Sequence, residues 1–355
     1  MRLSIGKMPA LAVMIAVPLL VSACGSTTST SPAAKSSATV PKVFGVNVDI
    51  KHPNVAGQHI TVAISAAPQV SDTVLYLTTE ILDAWGASVK RVNLTGDTQA
   101  SQTILAGDAD FGGLALATTV NAGLVEFGPN QPHVDYFMMA APSIKTVPQL
   151  VGHQFAVSNT GGIEAAMYRI ILSQYHIPTS KVPLILSGGS SVRTQALLAH
   201  QVSAAFVSSD NYLTIKQAGG GFNVLAVVGK KVPFLADSFL AGSPSWVASN
   251  PKTVEAVDEA WLEAAKIFNT NEAAWAKAAV AYAGSAADPS SLSQEYQILK
   301  EADCWDPSPS SFSPSVVTQN EQVETQTGSI QVKKALPAFT EFSSWKEAQN
   351  LFKGQ

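Results

Sequence analysis

Two stretches of this chain read as the same α/β unit, set 93 residues apart. In the first, Ile60 to Ser65 alternates as a strand does and runs into the loop Ala66-Ala67-Pro68-Gln69. Ser71 or Asp72 then caps a helix with Val74, Leu77, Ile81, Leu82 and Trp85 on one face and Gly86 beyond it. Val89 to Leu94 is a second strand, and Thr95-Gly96-Asp97 turns into a helix lined by Ala100, Ile104 and Leu105. Gly107 stops that helix, and Asp110 to Leu114 starts a third strand. In the second unit His153 to Val157 predicts a strand, Ser158 to Gly162 a loop and Ile163 to Tyr175 a helix. Val182 to Leu186 follows as a strand, Ser187 to Ser191 as a loop, Val192 to Leu198 as a helix and Ala204 to Val207 as a strand. Gln102-Thr103-Ile104-Leu105-Ala106 and Gln195-Ala196-Leu197-Leu198-Ala199 hold the same place in the two units. Strands alternating with helices predict mainly parallel sheets. Two units of one plan predict two related lobes rather than one large sheet, and 355 residues leave room for both at roughly 150 each.

Beyond Lys230 the pattern changes. Ser238 to Val247 reads as a returning strand region. Asn250 caps and Pro251 opens a helix with Val254, Val257, Trp261, Ala264 and Phe268 on one face. A second helix covers Glu272 to Tyr282. The tail beyond Ala287 is mixed, with a Pro/Ser stretch from Pro307 to Pro314, yet it is too rich in Trp, Phe and Leu to be disordered throughout.

The amino terminus has a different character. Arg2 and Lys7 precede the uncharged run Met8 to Leu20, the pattern of a secretory signal. That run is short for a membrane span of ~20 residues, and Pro9 and Pro18 interrupt it. It ends in Val21-Ser22-Ala23-Cys24, which resembles the lipobox of bacterial lipoproteins, where the cysteine is acylated and becomes the first mature residue. Gly25 to Ala38 is almost all Ser, Thr, Ala and Gly, and such a segment reads as a flexible tether. Residues 1–23 are thus expected to be a lipoprotein signal peptide and 24–57 a tether. With Cys24 acylated, Cys304 stands alone and reads as a small buried hydrophobe.

Composition narrows the function. Charged residues make up 14% and hydrophobic residues 46%, against roughly 25% charged in an average soluble protein. The chain is too apolar to be disordered, and a net charge of -4 argues against a general nucleic-acid binder. Two cysteines cannot build a disulfide scaffold. The histidines His52, His59, His133, His153, His176 and His200 form no HExxH or HxH, no CxxC exists, and no GxSxG elbow or phosphate-binding Walker loop is present. No metal, cofactor or catalytic set is therefore expected. What recurs is a loop of small residues directly before a helix, at Thr95 to Thr98, Ser158 to Gly162 and Ser187 to Ser191. Helix N-termini present free N–H groups, and in an α/β sheet such loops leave the carboxyl ends of strands, where ligands bind. Each loop also reads as plain helix capping; their shared edge is what favours a binding cleft.

The order of these features resembles the substrate-binding proteins of ABC importers, the nitrate/sulfonate/taurine-type group in particular. Leu105-Ala106-Gly107-Asp108-Ala109-Asp110-Phe111 is similar to that group's L-x-G-x-x-D turn. Leu150 to Val157 is similar to its strand entry into the second domain, and Ala196 to Ala199 with Ala204-Ala205-Phe206 to its second turn. Gly219-Gly220-Gly221-Phe222-Asn223-Val224-Leu225 and the Asn250-Pro251 helix are also similar, so that the likeness covers residues 58–285. Gln149 and Ser203 stand where the group has Asp, and His200 where it has Gly.

The resemblance implies an α/β, two-lobe periplasmic-binding-protein type II fold with a ligand cleft between the lobes and a helical C-terminal extension. Residues 58–139 and 237–355 would form lobe 1 and 140–236 lobe 2, hinged near Ala140-Ala141-Pro142 and near Leu235 to Ser238. It implies a monomeric, extracytoplasmic protein, anchored to the bacterial cell membrane by Cys24. Such a protein captures a small polar solute, anionic or zwitterionic, and delivers it to a permease with a cytoplasmic ATPase; it has no catalytic residue, cofactor or nucleic-acid partner. Two alternatives stand: a same-fold enzyme or binder acting on a pyrimidine-type precursor, and a non-transport sensor lipoprotein. The implied ligand positions are Ala66, Gln69, Gly96, Asp97, Thr98, Gly112, Gly113, Ser158, Asn159, Thr160, Gly161, Gly162, Ser187, Gly188, Ser190, Arg193 and Asp210. Arg193 would meet a sulfonate or carboxylate, or else be a solvated helix residue. Asp210 would meet an amine, or else cap a helix. Tyr212 and Trp246 would stack on ligand or pack in the core.

Overall fold

Ile60, Val62 and Ile64 alternate with smaller residues, and β-branched side chains suit a pleated, buried surface; Val62 and Ala63 are fully buried at the centre of the first sheet. A computed structural model describes residues 40–48, 53–65, 68–158, 163–332 and 334–353. The expected signal peptide, Cys24, most of the tether, Ala66 and Asn159 to Gly162 lie outside the described residues.

A two-stranded hairpin, β1 (Lys42–Val43) with β2 (Val46–Asn47), comes first. The first α/β unit follows as β3 (His59–Ile64), α1 (Thr73–Ala84), β4 (Ser88–Asn93), α2 (Asp97–Ala106), β5 (Phe111–Leu114), α3 (Leu116–Ala122) and β6 (Val125–Gln131). The second runs β7 (Phe137–Ala140), β8 (Phe155–Val157), α4 (Ile163–Gln174), β9 (Leu184–Leu186), α5 (Ser190–Leu198), β10 (Ala204–Val207), α6 (Ser209–Ala218), β11 (Asn223–Val227) and the single turn α7 (Val228–Lys231). The chain then returns through β12 (Ser238–Gly242) and continues as α8 (Pro244–Ser249), α9 (Pro251–Thr270) and α10 (Glu272–Ala283). It ends with α11 (Leu292–Glu301), α12 (Pro314–Gln326) and α13 (Ser343–Lys353).

These strands form two five-stranded sheets, ordered β4-β3-β5-β12-β6 and β9-β8-β10-β7-β11. In each, the first three strands are parallel and the fourth is antiparallel to its neighbours. The fourth place is filled each time by the strand that follows a crossing: β7 after the chain leaves the first sheet, β12 after it comes back. Because β7 ladders with β10 along its whole length, the first crossing is residues 132–136, ahead of the Ala140-Ala141-Pro142 segment expected from sequence. The second crossing is residues 232–237. The sequence repeat is visible in the backbone: Gly107 after α2 has φ 80 and His200, 93 residues on, closes α5 with φ 56. Glycine takes that left-handed conformation without cost and His tolerates it.

The returning strand stops at Gly242 rather than running to Val247, because Ser243 caps and Pro244 opens α8. The tail is helical, and its Trp305, Phe312 and Trp345 are buried in the core shared with α1, α9 and α10. Cys304 is fully buried, as expected. The tail touches both lobes: α11 packs on α10 and α6, and α12 on α3 and α4.

Candidate functional site

Both crossings join carboxyl edge to carboxyl edge. The first leaves the carboxyl end of β6, which runs with β3, β4 and β5, and enters the start of β7; the second enters the start of β12. The five residues from Pro132 to Tyr136 span at most about 20 Å. The loops after β3, β4 and β5 therefore face those after β8, β9 and β10 across a narrow gap, and this gap is the candidate binding cleft.

On the second sheet's edge, Arg193 organises the loops. It is fully buried, and its guanidinium is paired inside the lobe. Its Nε donates to Phe206 O at 2.8 Å, Nη1 donates to Gly188 O, and Nη2 meets Glu164 Oε1 at 3.0 Å. The other Glu164 oxygen accepts from Ser158 Oγ at 2.6 Å. One ion pair thus fastens the ends of β8, β9 and β10 together. Arg193 is neither a ligand-facing guanidinium nor a solvated helix residue, and the expectation of an anionic solute loses its basic group.

The first lobe has an equivalent fastening. Asp97 Oδ2 accepts from the Ala115 N–H at 3.1 Å. In the second lobe Ser190 Oγ accepts from the Ser208 N–H at 2.9 Å. Donors and acceptors are each 93 residues apart, so the repeat extends to the bonds that tie one loop to the next.

The remaining expected positions divide. Gly112 and Gly113 are buried inside β5, not exposed to ligand. A Cβ on Gly112 would lie 2.6 Å from Ala63 O, and one on Gly113 would lie 2.4 Å from Asn130 Nδ2. These glycines serve close packing. Gln69 and Gly96 are half-buried at the edge of the gap, as is Ser187 on the facing loop, and Thr98 and Gly188 are exposed. Asp210 is half-buried in the first turn of α6; Ser208, not Asp210, holds the cap position. Its Oδ1 accepts from Ser208 Oγ and from Asn211 Nδ2. Trp246 stacks on Phe111, with centroids 5.9 Å apart, and Tyr212 on Phe137 at 4.1 Å, so both pack against protein.

Acids dominate the gap. Asp135 lies on the first crossing, where its Oδ2 accepts from Ser209 Oγ at 2.7 Å and from the Ser209 N–H at 3.1 Å. Asp237 lies on the second crossing and Asp72 just before α1; both are half-buried, and neither carboxylate accepts a hydrogen bond from a described residue. Burial, then the charges of Asp135, Asp210 and Asp97, pushes Asp72 up to about 7. Burial with Asp135 and Asp72 holds Asp237 well above the carboxylate range. Burial is also the main cause that raises Asp97, against the bonds from Ala115 and Ser65. Asn130, at the end of β6, donates to Ser238 Oγ at 2.9 Å, while its own Oδ1 is buried without a partner. Half-buried Tyr136 stands among Glu164, Asp237 and Arg193.

Sequence reading missed Asn130, Asp135, Tyr136, Glu164 and Asp237, and weighed Asp72 only as a cap. A signal was there. Val134-Asp135-Tyr136-Phe137 and Ala236-Asp237-Ser238-Phe239 each place one Asp inside an apolar run, and each run carries the end of a crossing into the next strand.

One further group stands apart. His133, on the first crossing, brings ligand atoms within 4.8 Å of Asp303 and Asp306. Its Nδ1 is 3.1 Å from Pro233 O on the second crossing, and Asp306 already accepts from Ser308 and Ser311. The group thus clips both crossings to the tail.

A family model described as NMT1/THI5 like matches residues 86–272, just over half of the chain. No curated protein matches it. Among solved structures, the ligand-binding component of an ABC-type import system from Staphylococcus aureus, with zinc bound, is 13% identical with a TM-score of 0.65, over 82% of this chain and 99% of that one. The alkanesulfonate-binding protein SsuA from Xanthomonas axonopodis pv. citri, bound to MOPS, is 16% identical with a TM-score of 0.64, over 81% and 99%. The periplasmic nitrate-binding protein NrtA from Synechocystis PCC 6803 is 10% identical with a TM-score of 0.60, over 89% and 91%. At these identities the likeness is one of fold: two lobes of the type II periplasmic-binding-protein class.

Proposed function

The chain belongs to the NMT1/THI5-like family, and from that premise we propose that it is the solute-capturing component of an ABC importer, tethered outside the cytoplasm by a lipid on Cys24. The observation that carries this reading is the pair of crossings. Two short segments join the loop-bearing edges of two sheets of one plan, so the lobes rotate about them and enclose a small solute, as hinged binding proteins do. A permease then takes the solute from the closed form. No helix among the described residues is long and apolar enough to cross a membrane.

Capture is favoured over catalysis by the state of the nucleophiles. The same fold occurs in a crystal structure of a DSZB mutant in complex with biphenyl-2-sulfinic acid, at 13% identity. Here Cys304, in the tail, is fully buried in the core, its thiol pushed far up by burial. His153 and His200 are exposed, and His200 stacks on Phe222 at 5.7 Å.

Thermal shift of the full chain against a broad panel of small polar solutes tests capture. A bound solute at a hundredfold excess over Kd stabilises by about 2.7 kcal/mol; silence across the panel overturns the reading. For the anchor, Cys24→Ala should release the protein into the soluble secreted fraction. A variant that still sediments with membranes removes the lipid from the proposal.

A further inference from the structure

Resting on that solute-capture reading, we propose that the cleft takes a cation, a small solute bearing a protonated amine or amidinium, held between the carboxylates of Asp72 and Asp237 with Asn130 Oδ1 accepting from its N–H edge.

The groups left free on the gap are acceptors. Asp72 and Asp237 receive no hydrogen bond from a described residue. Asn130 is 8% exposed, and its Oδ1 has no partner although its Nδ2 is bonded to Ser238. Ser238 follows Asp237 directly, so the orphan acceptor and the free carboxylate share one corner of the first sheet's edge. A buried acceptor without a donor, as Asn130 Oδ1 is, costs free energy in the empty protein, and a ligand that donates to it removes that cost.

Among the described residues, the charged donor and several loop amides that an anion would use are already engaged. Arg193 is spent on Phe206, Gly188 and Glu164. The free amides of Ala115, Ser208 and Ser209, next to the strand ends, go to Asp97, Ser190 and Asp135. A sulfonate or nitrate entering the gap would meet the fields of Asp72, Asp97, Asp135, Asp210 and Asp237, which already act on one another.

The arrangement also links binding to closure. Asp72 and Asp97 belong to the first lobe, Asp210 to the second, and Asp135 and Asp237 to the crossings. Without a ligand, burial and like charge favour the protonated forms of Asp72 and Asp237; a cation between them stabilises the ionised forms and draws the lobes together. Closure then follows from neutralising the gap.

Isothermal titration of the full chain uses agmatine and putrescine as cationic probes, with methanesulfonate, ethanesulfonate and nitrate as the opposing arm. The expected result is binding of at least one cation and none of the anionic arm, with Kd raised about thirtyfold or more in Asp237→Asn and in Asp72→Asn. The ligand-free melting temperature of either variant should hold or rise, because Asn replaces an acid that accepts no hydrogen bond from a described residue and whose ionised form burial disfavours; a purely structural role predicts the reverse. Binding of a sulfonate or nitrate while cations are silent overturns the charge assignment and leaves solute capture standing. Cation binding that is indifferent to both Asn variants overturns the assigned residues. Silence in both arms, together with silence across the broad panel, overturns capture itself.

Discussion

A single guanidinium shows how a residue's meaning depends on what surrounds it. In the sequence Arg193 is one basic residue in the first turn of a helix, well placed for an anion. In the fold it is sealed beneath that helix and bound on three sides. Glu164 depends on it, being only 6% exposed. Arg193→Met would strand that carboxylate, and breaking a buried pair from one side costs about 3–5 kcal/mol. Urea unfolding should show the loss, and adding Glu164→Gln should recover part of it. A single variant as stable as the parent would mean the pair does not fasten the loops. The missed residues have the opposite history. Asp135 and Asp237 sit in apolar runs that resemble strands, and only the topology shows that each Asp lies on a crossing, ahead of the strand that follows.

At the scale of elements, legibility followed periodicity. β10 was readable residue for residue as Ala204 to Val207, and α4 and α10 to within one residue at their ends, because apolar spacing and flanking Gly or Asn agree there. β6 was not read as a strand. Its segment Val125-Glu126-Phe127-Gly128-Pro129-Asn130-Gln131 carries a buried acid, a proline and two amides, and no period describes it. The fold accommodates Pro129 because β6 is an edge strand whose register shifts along β12, where a missing N–H breaks no outer ladder. The two amides, Asn130 and Gln131, close β6 where the first crossing begins. The tail was equally opaque, since its helices are held by distant partners rather than by their own pattern. Glu324 of α12, for example, accepts from the Ala117 N–H at 3.0 Å, 207 residues away.

Over the whole molecule, buried carboxyls set the response to pH. Burial raises Glu324 to about 8, and burial with Asp210 and Asp135 raises Glu295 to about 9; Asp72 stands at about 7. Glu126 and Asp258 are shifted upward as well, chiefly by burial. In each case the folded protein holds a proton that the unfolded chain has released above the ordinary carboxyl range of about 4. Unfolding therefore sheds protons between about pH 4 and pH 9, and stability falls as pH rises through that window. Calorimetry should find the melting temperature at pH 9 at least about 3 °C below that at pH 5.5. A temperature that rises instead would mean that these carboxyls are ionised in the fold.

The interleaved order of the two sheets reaches back to how the chain is made. All five strands of the second sheet lie within one continuous stretch, Phe137 to Val227. The first sheet lacks its inner strand until Gly242 has emerged, because β12 lies between β5 and β6. A chain delivered amino end first, from a ribosome or through an export channel, therefore completes its second lobe while the first remains an open half-sheet. The lobe that begins the sequence is the later one to close, and it must stay soluble and unpaired for more than a hundred residues of synthesis.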